Sequence, residues 1–168
     1  DVKSILESPS FGMTGVSGIN SMWWASNGVS VSITDSDKKR LALIKDVWEK
    51  QGFHLDGVHC ATEKNTNLPF SDKSFELGCN FAALWFVADM ERLLQELVRV
   101  CKKALFICIP NNTNVFFKAR LASSKTDEIP YPENIDPQMI KKILNALNWH
   151  VQEQGYFDTP PWPDIAMK

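Results

Sequence analysis

Three glycines recur at every third position in "FGMTGVSGIN": Gly12, Gly15 and Gly18. A short apolar run, Val2 to Leu6, precedes them, and a helix-like stretch follows. Glycines between a strand and a helix let the backbone approach a ligand closely, while the helix N-terminus turns free N–H groups toward it. An acidic residue at the end of the next strand can accept hydrogen bonds from ribose hydroxyls. Asp35 closes the β-branched run "VSVSIT" at that place. Together these residues point to a nucleoside-type ligand without saying which. A glycine-rich turn followed by Asp35 acting only as a helix cap is the blander alternative.

The elements that must position these residues alternate. Residues 2–7, 29–34, 55–60, 75–81 and 104–109 read as strands, and "WHVQEQGYFD" reads as a last one. Helices are expected at 19–27, 38–51, 90–100 and 137–147. The second carries Leu41, Ile44, Val47 and Trp48 on one face, and the third carries Leu93, Leu94, Leu97 and Val100. Gly28 is placed to end the first helix, and Pro137 suits the first position of the last. A shorter helix is expected near residues 115–122, within a long excursion at 112–133. The uninterrupted run "ALFICI" predicts a strand buried on both faces. Repeated strand–helix units imply an α/β domain with a mostly parallel sheet between two helical layers.

Composition narrows the function. The 168 residues suit one domain, and 44 % hydrophobic content is enough for one core. A net charge of −2 with mixed signs predicts no nucleic-acid partner. No apolar run approaches the roughly 20 residues of a membrane span. No signal-peptide pattern opens the chain at Asp1, so a cytoplasmic location is expected. Cys60, Cys79, Cys101 and Cys108 form no Cys-x-x-Cys pair and are expected to be free thiols. His54, His59 and His150 have no metal-ligand spacing, so no metal is expected. Six tryptophans are many for this length. Trp85 just after the fourth strand could offer a flat aromatic face to a ligand, or could simply pack.

The most specific stretch runs from Leu68-Pro69-Phe70 through Ser74-Phe75-Glu76, Asn80, Glu96 and Arg99-Val100 to Pro110-Asn111. In that order these residues resemble the class I S-adenosylmethionine-dependent methyltransferases that act on small molecules, the methyltransferase type 11-like group. The resemblance implies a three-layer Rossmann-like sandwich, here without the usual N-terminal helix and final antiparallel strand. It implies S-adenosylmethionine as cofactor and a small-molecule methyl acceptor as partner, and leaves a homo-oligomer open. By the same resemblance Glu7 would face the methionine ammonium. Gly12, Gly15 and Gly18 would wrap that moiety, and Asp35 with Ser36 would hold the ribose. Cys60 and Ala61 would lie beside the adenine, and Asn80 and Phe81 near the sulfonium. Trp85 and Asn111 would reach the acceptor. "NFAA" at the end of the fourth strand differs from the Asn/Asp-Pro-Pro-aromatic motif of base methyltransferases, so a base acceptor is not expected. Ser8-Pro9-Ser10 lengthens the glycine loop, and Cys60 stands where an acid is usual. These departures favour, as the alternative function, a non-catalytic binding or regulatory subunit. A nicotinamide-dependent oxidoreductase would use a similar crevice, but dehydrogenases do not share the pattern from Leu68 to Asn111.

Overall fold

A computed structural model describes residues 2–10, 18–59, 67–111 and 130–156. Five strands form one sheet: β1 (Ser4–Glu7), β2 (Ser30–Asp35), β3 (Asp56–His59), β4 (Phe75–Phe81) and β5 (Cys101–Cys108). Their order is β3-β2-β1-β4-β5, and every pairing is parallel. The helices are α1 (Met22–Ser26), α2 (Lys38–Lys50), α3 (Met90–Val100) and α4 (Pro137–Ala146). Two short 3-10 turns, Leu84–Phe86 and Pro132–Ile135, complete the described elements.

Each strand of the sheet sends alternate side chains to opposite faces. Ile5 and Ile33 join Ile44 and Trp48 of α2 on one face. Leu6 joins Leu93, Leu94 and Leu97 of α3, with Ile140 and Leu144 of α4 behind them, on the other. The three-layer α/β class expected from the sequence is therefore the observed one.

Local chemistry sets the helix starts. Asp37 accepts from the N–H groups of Lys39 and Arg40, Asp89 from that of Arg92, and Asp136 from that of Gln138. Gly28 follows α1 at φ +77°, a left-handed conformation that favours glycine. The bounds of β4 and α3 coincide with the sequence expectation, whereas α1 is shorter.

Two expectations need correction. Residues 149–156, expected to begin a last strand, form none, and 151–156 are exposed. Gln152, Glu153 and Gln154 interrupt the alternation that would give a strand a buried face. Strand β5 lies at the edge of the described sheet and is not buried on both faces, since Ala104 and Phe106 within the expected run are exposed. Lys102 and Lys103 are exposed there, and Phe106 is 43 % exposed. The shorter helix expected near 115–122 lies outside the described residues. No described helix is long and apolar enough to cross a membrane.

The stretch that carries the family resemblance acts as a clamp. Glu96 is buried, and its carboxylate accepts from the Leu68 N–H at 2.9 Å. Arg99 donates to both Glu96 oxygens at 2.7 and 2.8 Å, and to the carbonyls of Leu68 and Phe70 at 3.0 and 2.8 Å. It also reaches the exposed Asp72. Helix α3 thus fixes the turn that feeds β4. Arg99→Ala removes these donors from a buried carboxylate and should cost about 2 kcal/mol. Asp72→Ala loses only a solvent-screened pair, worth about 0.5 kcal/mol. Urea denaturation of both variants checks the difference, and equal losses would refute the clamp.

Candidate functional site

In an open parallel sheet, ligands bind outside the carboxyl ends of the strands where the strand order reverses. Here that point lies between β1 and β4, with β2 on the other side of β1. Glu7, Asp35, Asn80 and Phe81 all sit at those carboxyl ends.

The chain beyond β1 is held tightly. The Ser8 N–H donates to the Cys79 carbonyl at 3.0 Å, and the Ser10 N–H to the Thr34 carbonyl at 2.9 Å. Thr34 Oγ1 donates to Ser8 Oγ at 2.7 Å, and Asn80 Nδ2 to the Ser8 carbonyl at 2.8 Å. Ser8, Ser10, Thr34 and Asn80 are all fully buried. The Ser8-Pro9-Ser10 segment that lengthens the glycine loop therefore continues β1 between its neighbours. Its Ser8–Pro9 peptide is cis.

Two carboxylates are buried here in different ways. Asp35 accepts from Arg40 Nε at 2.6 Å and Arg40 Nη2 at 2.7 Å. It also accepts from the Asp37 N–H at 2.7 Å and from the Ser10 hydroxyl. Glu7 is 1 % exposed and accepts from the Ser21 hydroxyl. No positive side chain among the described residues pairs with it. Burial pushes its carboxyl up to about 7, with the Ser21 hydrogen bond pulling the other way.

The remaining expected residues fall in several places. Gly18, at φ +78°, lies under α2: a Cβ there would come within 2.8 Å of Ile44 Cγ2 and 3.0 Å of Ile33 Cδ1. Its carbonyl accepts from Trp48 Nε1 at 3.3 Å. Ser36 is exposed just past Asp35. Asn80 also accepts from the Ala83 N–H at 3.3 Å, so both ends of its amide brace the crevice. Phe81 lines an apolar groove of about 410 Å³ with Trp24, Leu77, Cys79 and Phe106. Asn111 is half-buried after β5. Gly12, Gly15, Cys60 and Ala61 lie outside the described residues. Cys79, Cys101 and Cys108 are free thiols. Burial pushes Cys79 and Cys101 up to about 12.

Trp85 does not stand on the rim. Its ring is 2 % exposed and packs with Ile135, Phe86 and Ile109. Asn134 draws the second 3-10 turn over it by donating to the carbonyls of Leu84 and Val87. The residues missed in the sequence are Ser10, Ser21 and Arg40. Arg40 follows Asp35 by five positions, within the first turn of α2, and that spacing could have revealed the pair.

The family model "Methyltransferase domain" matches residues 12–109, more than half of the chain. The chain belongs to the methyltransferase-domain family. Among curated proteins none matches the sequence significantly. Solved structures share the fold. A SAM-dependent methyltransferase from Aquifex aeolicus is 16 % identical at TM-score 0.59, covering 86 % of this chain and 70 % of that one. The YcgJ protein from Bacillus subtilis is 16 % identical at TM-score 0.62, covering 86 % and 61 %. The complex of the Haloferax volcanii Trm112 methyltransferase activator with a methyltransferase matches at 13 % identity and TM-score 0.66, covering 91 % and 64 %. The chain thus spans less than two thirds of the length of the last two.

The raised Glu7 pKa has a defined consequence for stability. A carboxyl raised from 4.5 to about 7 favours the fold while protonated. That contribution is complete below pH 4.5 and is lost as pH rises through 7. It amounts to about 3 kcal/mol. Relative to Glu7→Gln, the wild-type unfolding free energy should fall by that amount between pH 4.5 and 8. Parallel pH profiles in urea denaturation would refute the assignment.

Proposed function

We propose that this crevice binds S-adenosylmethionine and that the protein transfers its methyl group to a small-molecule acceptor. The observation that carries the reading is the pair of buried carboxylates, Glu7 and Asp35, at adjacent strand ends beside the switch point. The cofactor offers two groups with matching needs: an ammonium and a vicinal diol. A buried carboxylate with only a hydroxyl partner gains most from a cation. The residues therefore fit the cofactor, with Glu7 toward the ammonium and Asp35 with Ser36 toward the ribose.

When bound, S-adenosylmethionine supplies a methyl group already activated on a sulfonium. The chain's task is then alignment and exclusion of water. Asn80 serves alignment by fixing the carboxyl end of β4 to the Ser8 carbonyl. Phe81 supplies apolar surface next to that end. Gly12, Gly15 and Gly18 would let the backbone follow the methionine moiety, and Cys60 and Ala61 would flank the adenine. Asn111, and Trp85 through the turn it anchors, would shape the acceptor side. The acceptor remains within the small-molecule class because the net charge is −2 and no basic surface is evident in the sequence. The same balance, with no membrane-spanning helix described, keeps nucleic acid and membrane out of the proposal. A cytoplasmic location goes with it.

One observation favours the second reading, a non-catalytic binding subunit. Asp35 already has an acceptor interaction at each of the four positions a carboxylate offers. Isothermal titration with S-adenosylmethionine and S-adenosylhomocysteine, followed by an acceptor screen that reads S-adenosylhomocysteine release, separates the two. Dissociation constants of about 1–100 μM are expected, with Asp35→Ala weakening binding about tenfold, or about 1.4 kcal/mol. Affinity for S-adenosylhomocysteine should rise with pH between 5.5 and 7 as Glu7 ionises, and Glu7→Gln should flatten that rise. Binding without turnover of any acceptor would favour the subunit. Absence of binding by the folded chain would overturn the cofactor assignment.

A further inference from the structure

Arg40 holds Asp35 in a two-pronged grip. Nε reaches Oδ2 at 2.6 Å and Nη2 reaches Oδ1 at 2.7 Å. A vicinal diol would engage the same carboxylate similarly, through two adjacent donors directed at its two oxygens. The other two acceptor positions are filled by the Asp37 N–H and the Ser10 hydroxyl. The first is backbone at the start of α2, and Ser10 is fully buried. Of the three donor groups on Asp35, only the Arg40 side chain has a way out, being 30 % exposed at the mouth of the helix. It is long and flexible, and its guanidinium can be solvated outside the crevice.

We infer that Arg40 is an internal competitor for the ribose subsite: its guanidinium occupies the edge of Asp35 that a ribose diol would take, so a ligand with a free diol binds only as Arg40 swings out. The inference rests on the cofactor reading above and deepens it. It makes Arg40 a determinant of affinity and of ligand choice. Nucleosides with a free 2′,3′-diol must displace it, whereas ligands without the diol leave it in place. The apparent dissociation constant for diol ligands is then the intrinsic one divided by the fraction of time that Arg40 stays open.

The test compares two probes on the full chain by isothermal titration: S-adenosylhomocysteine and its 2′,3′-dideoxy analogue. The variants are Arg40→Ala and Arg40→Lys. The lysine retains the charge but lacks the fork, so it carries the test where the alanine variant fails to fold. Both variants should bind S-adenosylhomocysteine more tightly, about tenfold for the alanine. Their affinity for the dideoxy analogue should stay within about twofold of wild type. Equal tightening for both probes, or none, would overturn the competition, because a merely structural Arg40 does not distinguish the diol. Weaker binding of S-adenosylhomocysteine would overturn it too, and would make Arg40 a ligand contact. If wild type and both folded variants bind neither probe, the cofactor reading itself falls and takes this inference with it.

Discussion

Four residues hold the sheet together. Strand β1 is hydrogen-bonded to β2 on one side and β4 on the other, and it is the only route between the two halves of the described sheet. Such a strand has no solvent-facing edge, so every backbone polar group must find a partner in the protein. Ile5, Leu6 and Glu7 are accordingly buried to within 1 %. The requirement persists past the last strand residue. Ser8 and Ser10 keep donating to opposite neighbours, Cys79 and Thr34, so the chain leaves the sheet with its backbone still satisfied. The buried hydroxyls of Ser8, Ser10 and Ser21 follow from the same constraint. A deep polar crevice at a strand end needs small side chains that donate and accept without bulk.

That crevice treats its two acids differently. Asp35 is given a guanidinium, a backbone amide and a hydroxyl, and these offset the loss of water around its charge. Among the described residues Glu7 is given one hydroxyl, and burial pushes its carboxyl up to about 7 against the pull of that hydrogen bond. The asymmetry orients any bound ligand. A cation is worth most beside the acid that has none, and the acid already saturated by the chain receives a new donor only by exchange. One end of the crevice thus offers a gain of charge pairing, while the other offers competition.

What could be read from the sequence divides along physical lines. Helix α3 and strand β4 were legible to the residue because the stripe of Leu93, Leu94, Leu97 and Val100 and the run at 75–81 are local signals. The strand-end place of Asp35 was legible because strand ends can be counted, and that of Glu7 came with the family resemblance. Their partners were not. Ser21 meets Glu7 across 14 residues and Ser10 meets Asp35 across 25, and pairings at that distance depend on the assembled sheet. Trp85 was left open between a ligand face and packing for a related reason: its burial comes with Ile135, about fifty residues along the chain. The run at 149–156 has apolar residues at its ends but three consecutive polar ones in the middle, and only tertiary context could decide it. Strand β5 looked central because residues 104–109 are apolar throughout, yet hydrophobicity alone does not reveal whether a layer covers both faces.

Part of the stretch that made the family recognisable lies far from the crevice. Leu68, Phe70, Glu96 and Arg99 tie the turn before β4 to helix α3, at the amino end of that strand and away from the crevice. Those contacts fix where β4 starts, and parallel pairing then fixes where it ends, so Asn80 arrives beside Ser8. Some of the residues that carry the family resemblance thus place the site from a distance. One departure from the family pattern, Ser8-Pro9-Ser10 before the glycines, lies at the opposite end of the strands, where a ligand would be read. Because the two ends are linked only through strand register, the crevice can change its partners without disturbing the clamp. Arg40 on Asp35 belongs to that end: the pair lies at the carboxyl end of β2 and the start of α2, apart from the contacts that tie Leu68 and Phe70 to α3.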